Sequence, residues 1–299
     1  MELLDMAWCK AKRLRKIKLG LINIEFQMRR SIYVSNNFLR HMRRFFNSAK
    51  PDTPFANTSH TKALDMSLES SEPQGVKTAL IVGVGPGLGF ALARKLHSEG
   101  FQVALASRNA GRFDGLVDEM NASGNLVRAY GCDATDEKSV IQLMSLVSAE
   151  FGVPHLVVYS VQEFCPGQVM DVEIPAFELS WRQNCLGGFI VAREASRRMA
   201  ALGRGAIVLV GSTSSLIGRA DHLNLAIGKF GLRALSQVMA RELWPKGIHV
   251  AHIVIDADIQ EDEQVEEPYP QSSPEHISQQ IYISTLAIFI SAESGRLPS

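Results

Sequence analysis

From Val76 onward, apolar residues fall into short aliphatic and β-branched runs, separated by stretches in which apolar positions return every three or four residues. The runs predict strands at 77–83, 102–107, 126–131, 155–160, 205–211 and 247–254. The intervening segments predict helices near 88–99, 110–123, 136–150, 176–202 and 223–244. Runs such as Ala206-Ile-Val-Leu-Val210 do not alternate with polar residues, so they fit strands buried on both faces. Strands of that kind alternating with helix-length segments predict parallel βαβ units, a doubly wound α/β sheet in a three-layer αβα sandwich. No internal repeat interrupts this order, and residues 76–299 read as a single domain.

Upstream the pattern is different. Residues 1–75 read as a basic N-terminal extension and linker, poorly ordered by composition. The first 65 residues carry 13 Lys and Arg against 5 Asp and Glu, so a net charge of zero divides into a head of +8 and a body of −8. Lys10 to Lys18 is a basic stretch, and Met28 to Lys50 holds Arg and Ser but no acid. This composition is similar to a transit peptide, which would direct the chain to mitochondria; a basic membrane-surface or nucleic-acid arm and a plain extension upstream of Met66 are the other readings. Otherwise the expectation is a cytoplasmic protein without a membrane span, since no apolar run approaches the roughly 20 residues a bilayer requires. The overall charge balance predicts no nucleic-acid partner. Cys9, Cys132, Cys165 and Cys185 lack CxxC spacing, which predicts neither a metal site nor a disulfide framework. The acidic run Glu261 to Glu267 reads as a solvated loop on the substrate side, within a substrate loop at about 256–275.

The first strand runs straight into Gly83-Val84-Gly85-Pro86-Gly87-Leu88-Gly89, and a helical pattern follows at once. A glycine turn between a strand and a helix lets the backbone approach a pyrophosphate, which the free N–H groups and positive dipole end of the helix then bind. The domain is therefore expected to be a Rossmann-type dinucleotide-binding domain. The second strand ends at Ser107-Arg108-Asn109, where an NAD enzyme would place a carboxylate for the adenine-ribose hydroxyls. A hydroxyl and a guanidinium suit a 2′-phosphate instead, predicting NADP(H) in preference to NAD(H).

Together with Cys132-Asp133-Ala134 after the third strand, Asn184 in Trp181-Arg-Gln-Asn-Cys-Leu-Gly-Gly-Phe189, Ser212 ending the fifth strand and Lys229, the glycine turn resembles the short-chain dehydrogenase/reductase family over about 76–256. The resemblance implies an oxidoreductase acting on a small carbonyl or alcohol. Asp133 would contact the adenine, Ala134 and Ser160 would line the cofactor site, Lys229 would hold the nicotinamide ribose, Ser212 would polarise the substrate oxygen and Asn184 would organise a water. It also implies a homodimer or homotetramer built on the long helices at 176–202 and 223–244.

Such enzymes use a tyrosine four residues before the lysine as proton donor. Here that residue is Leu225, which has no proton to give. Ser160-Val161-Gln162 replaces the family's Asn-Ala-Gly, and Asp256-Ala257-Asp258 its Pro-Gly. Three readings remain open. His222, seven residues before Lys229, supplies the proton; a hydroxyl or water near Ser212-Thr-Ser-Ser215 does so; or the chain binds NADP(H) as a sensor or inactive partner subunit, without turnover. A closing strand is expected at Leu286 to Ser291.

Overall fold

The computed structural model describes residues 32–34, 76–256, 258–259 and 271–282. Six parallel strands carry the domain: β2 (Thr78–Val82), β3 (Gln102–Ser107), β4 (Val127–Gly131), β5 (Leu156–Tyr159), β6 (Gly205–Ser212) and β7 (Ile248–Ile255). Their order across the sheet is β7-β6-β5-β2-β3-β4, so the chain reverses direction between β2 and β5 and leaves a crevice at the carboxyl ends of these strands. Every residue of β2 is buried, as the unbroken apolar run requires.

A seventh strand, β1 (Ile32–Val34), pairs antiparallel with the outer edge of β7, Ile32 facing Ile255. It comes from the N-terminal extension; the rest of residues 1–75 lies outside the described residues, as does the strand expected at 286–291. The two ends of the expected substrate loop pair as short parallel strands, β8 (Asp258–Ile259) with β9 (Gln271–Ser272), and the acidic run between them also lies outside the described residues.

Helices cover both faces. On one side α1 (Leu88–Ser98) and α2 (Asp114–Asn121) bury Leu92, Leu96, Leu116 and Met120 against β2 and β3, with Ile277 and Ile281 from the helical residues 274–282 completing that core. On the other, α3 (Glu137–Phe151), α5 (Gly187–Leu202) and α6 (Leu223–Leu243) bury Met144, Val191, Met199 and Leu232 around Tyr159. Asp136 caps α3 by accepting the Lys138 N–H at 3.1 Å, satisfying one of the donors that a helix start leaves over.

The long helix expected at 176–202 is broken into α4 (Ile174–Trp181), a π-turn at Arg182–Leu186 and α5. In the π-turn the Gly187 N–H reaches back to the Arg182 carbonyl. The Gln183 carbonyl accepts instead from the fully buried Tyr159 hydroxyl. Gly187 permits this contact, because a Cβ there would lie 2.5 Å from the Tyr159 oxygen. Backbone distortion and side-chain partner are thus matched: the carbonyl displaced from the helix ladder meets the one hydroxyl on β5.

Candidate active site

The crevice at the strand ends is a cleft of about 810 Å³. Its first wall is the β2-to-α1 turn. Gly83 has φ +93°, and a Cβ there would come within 2.6 Å of the Val161 nitrogen, so both conformation and space demand glycine. At Gly85 a Cβ would meet nothing within 4 Å, which leaves the backbone open to the cleft. Gly87 precedes the first turn of α1 with no side-chain cap and no acid in that turn, so among the described residues no side chain competes with an incoming anion for this helix end.

The ends of β3 and β4 form the next part. The Ser107 hydroxyl is engaged with the Asn109 backbone, accepting its N–H at 3.3 Å, and so shapes the turn in which Arg108 stands. Arg108 is exposed at the cleft, with neither hydrogen bond nor ion pair among the described residues. Asp133 uses one carboxylate oxygen to accept from both the Thr135 N–H and hydroxyl, each at 2.8 Å, leaving the second oxygen for a ligand. Burial pushes the Cys132 thiol, also in this wall, above its ordinary pKa.

At the inner end Lys229 is buried. Its Nζ donates to the Val161 carbonyl at 3.1 Å and to the Val210 carbonyl at 3.2 Å, bridging the ends of β5 and β6. Two of three ammonium protons are committed, and the third is left for the cleft that this residue lines. Burial lowers its pKa to about 8. Leu225, one turn earlier on α6, is buried and lines the cleft.

Ser212 ends β6 on the cleft wall. Its N–H donates to the Ser215 Oγ at 3.3 Å, and its own Oγ faces the Ser215 N–H in return but is too far or too bent for a hydrogen bond, leaving that buried oxygen without a partner among the described residues. His222 stands on the opposite loop with Nδ1 2.8 Å from the Ala220 carbonyl, a contact in which Nδ1 must donate; Nε2 is then the ring nitrogen left for a ligand.

The expected site residues Gly83, Gly85, Gly87, Leu88, Gly89, Ser107, Arg108, Asp133, Ala134, Ser160, Ser212, His222 and Lys229 all line this one cleft. Asn109 and Asn184 do not. Asn109 shapes the Arg108 turn through its backbone. Asn184 is fully buried within the π-turn; its Nδ2 donates to the Glu163 carbonyl at 2.7 Å and to Ser180, and its Oδ1 accepts the Glu163 N–H at 3.2 Å. With both ends of its amide engaged, it holds a loop rather than a ligand. Sequence reasoning missed Phe164, whose ring lies 5.0 Å from that of His222, and Asn224, which donates to the Cys165 carbonyl at 3.1 Å. Phe164 carried no signal beyond its place after the fourth expected strand, and Asn224 none beyond its place at the start of the helix expected at 223–244.

A glycine turn, Asp133 beyond β4, a strand-end serine and a buried helical lysine lie in this order around one cleft of a doubly wound sheet. Residues 77–264 match the short chain dehydrogenase family. The chain belongs to that family. It is 32% identical to sorbitol-6-phosphate 2-dehydrogenase of Escherichia coli over 60% of this chain and 70% of that protein. To D-threitol dehydrogenase of Mycolicibacterium smegmatis it is 27% identical over 64% of this chain and 73% of the relative. The crystal structure of a short-chain dehydrogenase from Rhodopseudomonas palustris superposes with a TM-score of 0.61 at 31% identity, covering 69% of this chain and 90% of that one. This short-chain dehydrogenase is therefore an oxidoreductase by family, with the family's NAD(P)-binding fold. Among the described residues no helix is long and apolar enough to cross a membrane.

Proposed function

We propose that this chain binds NADP(H) in the cleft and moves hydride between it and a small carbonyl or alcohol. The observation that carries the reading is that the open glycine turn, the unpaired Arg108 and the third proton of Lys229 meet in one cleft. When bound, the nicotinamide supplies or accepts the hydride. The Gly83-to-Gly89 backbone and the start of α1 would hold the pyrophosphate, and Arg108 would pair with the 2′-phosphate, favouring NADPH over NADH. Asp133 would accept from the adenine, and Lys229 would donate to the nicotinamide ribose while keeping its two carbonyl partners. Ser212 would turn its unsatisfied hydroxyl to the substrate oxygen. In its doubly protonated form His222, with Nδ1–H fixed on Ala220, would give its Nε2 proton to that oxygen in the direction of reduction, leaving the neutral ring, and the neutral Nε2 would take the proton back in oxidation. Asn184 takes part at one remove, as a positioning residue for the loop at Glu163.

Relatives named as dehydrogenases of a sugar phosphate and a tetritol support a substrate whose reacting group is a carbonyl or secondary alcohol. One observation favours a second reading. With Leu225 at the tyrosine position, the same cleft would serve a protein that binds NADP(H) as a sensor or inactive partner subunit.

Fluorescence titration with NADPH and NADH, followed by a turnover screen with aldehydes, ketones, quinones and enones, separates the two. NADPH oxidation that falls in His222→Ala supports the hydride-transfer reading with His222 as donor, and an unchanged rate removes His222. Tight NADPH binding without oxidation in any pairing selects the sensor, and binding of neither nucleotide overturns both. For the assembly, a homodimer or homotetramer is supported by exposed Trp181, Phe189 and Phe230 on α4, α5 and α6. Light scattering should report more than one chain, and a Phe230→Glu change should shift the mass toward the monomer.

A further inference from the structure

Where β6 and β7 end side by side, they bring a hydroxyl and a carboxylate to one edge of the cleft. Ser212 pairs with Ile255 in the last register of the two strands, so Asp256 lies one residue beyond the partner of the serine. There the Thr213 hydroxyl donates to Asp256 Oδ1 at 2.6 Å. That bond fixes the carboxylate beside Ser212 and leaves Oδ2 without a hydrogen-bond or ion-pair partner among the described residues. Ser212, Thr213 and Asp256 all line the cleft, so an exposed carboxylate stands in its wall at the end where the reacting oxygen would be held. Across the cleft His222 is set by a fastened turn. Asp221 is the only non-glycine of positive φ among the described residues, at +61°, and its carbonyl accepts the Gly167 N–H at 3.1 Å. A left-handed aspartate clamped by the neighbouring loop keeps His222 in place rather than letting the turn relax.

A carboxylate in the wall of a cleft accepts hydrogen bonds and gives none. It cannot serve a carbonyl oxygen, and it would repel that oxygen as negative charge develops there, so Asp256 has to meet a donor on a different atom of the substrate. Neighbouring strands lie about 4.8 Å apart and a hydrogen bond between oxygens spans about 2.7 Å, so groups at the paired ends of β6 and β7 suit two oxygens on adjacent carbons. We propose that the substrate carries a hydroxyl on the carbon next to the reacting one, and that Asp256 Oδ2 accepts from it. The substrate is then an α-hydroxy ketone in the direction of reduction and a vicinal diol in oxidation. An ammonium group would also donate, but it would join the like charges of Arg108, Arg219 and Lys229 in the wall of the same cleft. The inference rests on the proposed function for the reacting end: hydride passes between NADP(H) and the carbonyl carbon, and the proton between His222 and the carbonyl oxygen. The second hydroxyl keeps its proton throughout, and binding through it needs no turnover.

The test compares hydroxyacetone with butanone, ketones of nearly the same shape that differ in carrying a hydroxyl or a methyl on the carbon next to the carbonyl. Their affinities for the full chain, with and without NADP+, are read by ligand-observed NMR titration. Hydroxyacetone is expected to bind about 10-fold more tightly, the lower end of the range for a hydrogen bond to a charged group. Methoxyacetone, whose ether oxygen has no proton to donate, should bind no better than butanone. Asp256→Ala should bring hydroxyacetone to the butanone level, and Asp256→Asn, which keeps an acceptor without the charge, should lose only part of the preference. Equal affinities for hydroxyacetone and butanone, or binding of neither, overturn the inference, and so does a preference that survives Asp256→Ala. An NADP+ affinity that falls in Asp256→Ala as far as that of hydroxyacetone also overturns it, giving the carboxylate to the cofactor. A preference lost in Asp256→Ala, without oxidation of NADPH by hydroxyacetone, leaves the hydroxyl site standing and removes only the hydride-transfer reading.

Discussion

Arg108 and Lys229 are the two cations that the cofactor reading depends on, and they are held in opposite ways. Arg108 is exposed and unpaired among the described residues, so its removal should disturb nothing but a ligand. Arg108→Ala is expected to weaken NADPH binding by about 10- to 100-fold, the range of a charge-assisted bond, and to leave NADH nearly unchanged, both read by fluorescence titration. Lys229 instead joins two strand ends and cannot be removed without stranding the Val161 and Val210 carbonyls. For the same reason the sharper test of the chemistry is beside it. Leu225→Tyr would place a hydroxyl one helical turn from the ammonium, and a gain of about 100-fold or more in NADPH oxidation is expected if the proton donor is what limits the rate. An unchanged rate would show that a hydroxyl at this position is not what limits the reaction. At this scale the sequence was most legible where a residue type has a local meaning: the glycines, Arg108 and Lys229 sit where their spacing placed them. It was least legible for Asn184, since whether an amide faces a ligand or a loop depends on Glu163, a contact 21 residues away in the chain.

The elements themselves could be read almost to the residue, because burial on both faces imprints the same apolar run on every central strand; β6 extends to Ser212 and β7 to Ile255, one residue beyond the sequence boundaries. What the pattern concealed was the π-turn. Helical periodicity carries no mark of a single displaced carbonyl whose partner, Tyr159, belongs to a strand 24 residues earlier. The loops after β5 and β6 were equally hidden, being fastened by side-chain bonds to distant backbone. Tyr159→Phe keeps the ring that packs under Gly187 and Gly188 but strands the Gln183 carbonyl. It should destabilise the fold by about 1–3 kcal/mol in denaturant unfolding, the cost of a buried acceptor left without a donor. A change well below that range would show that water or the helix ladder satisfies this carbonyl.

Among the described residues, three buried histidines are expected to make stability fall in acid. His155 accepts the Thr78 N–H through Nδ1 and so must be neutral there, and burial first, then nearby Arg204 and Lys77, lower its pKa to about 4. Burial also lowers His249 to about 4, while burial followed by Lys229 and Arg233 brings His252 to about 3. The folded values lie below the unfolded one of about 6.5, so in between the unfolded chain binds more protons. Stability from this source is therefore complete above about pH 6.5 and lost as the pH falls toward 4 and then 3. The melting temperature should drop through that window, and His252→Gln should flatten the drop; a profile the same in both proteins would remove His252 from the account.

The seam between β1 and β7 brings another consequence. Its partners, Ile32 and Ile255, are more than two hundred residues apart in the chain, whereas every other neighbouring pair in the seven-stranded sheet joins segments far closer in sequence. Closed from the unfolded chain, that seam makes the longest loop of the sheet and returns only a three-residue pairing, so it is expected to form after the parallel strands and to open before them, which hydrogen exchange at Ile32–Val34 would report. The edge of β7 thus has a cover that the rest of the sheet can shed without coming apart.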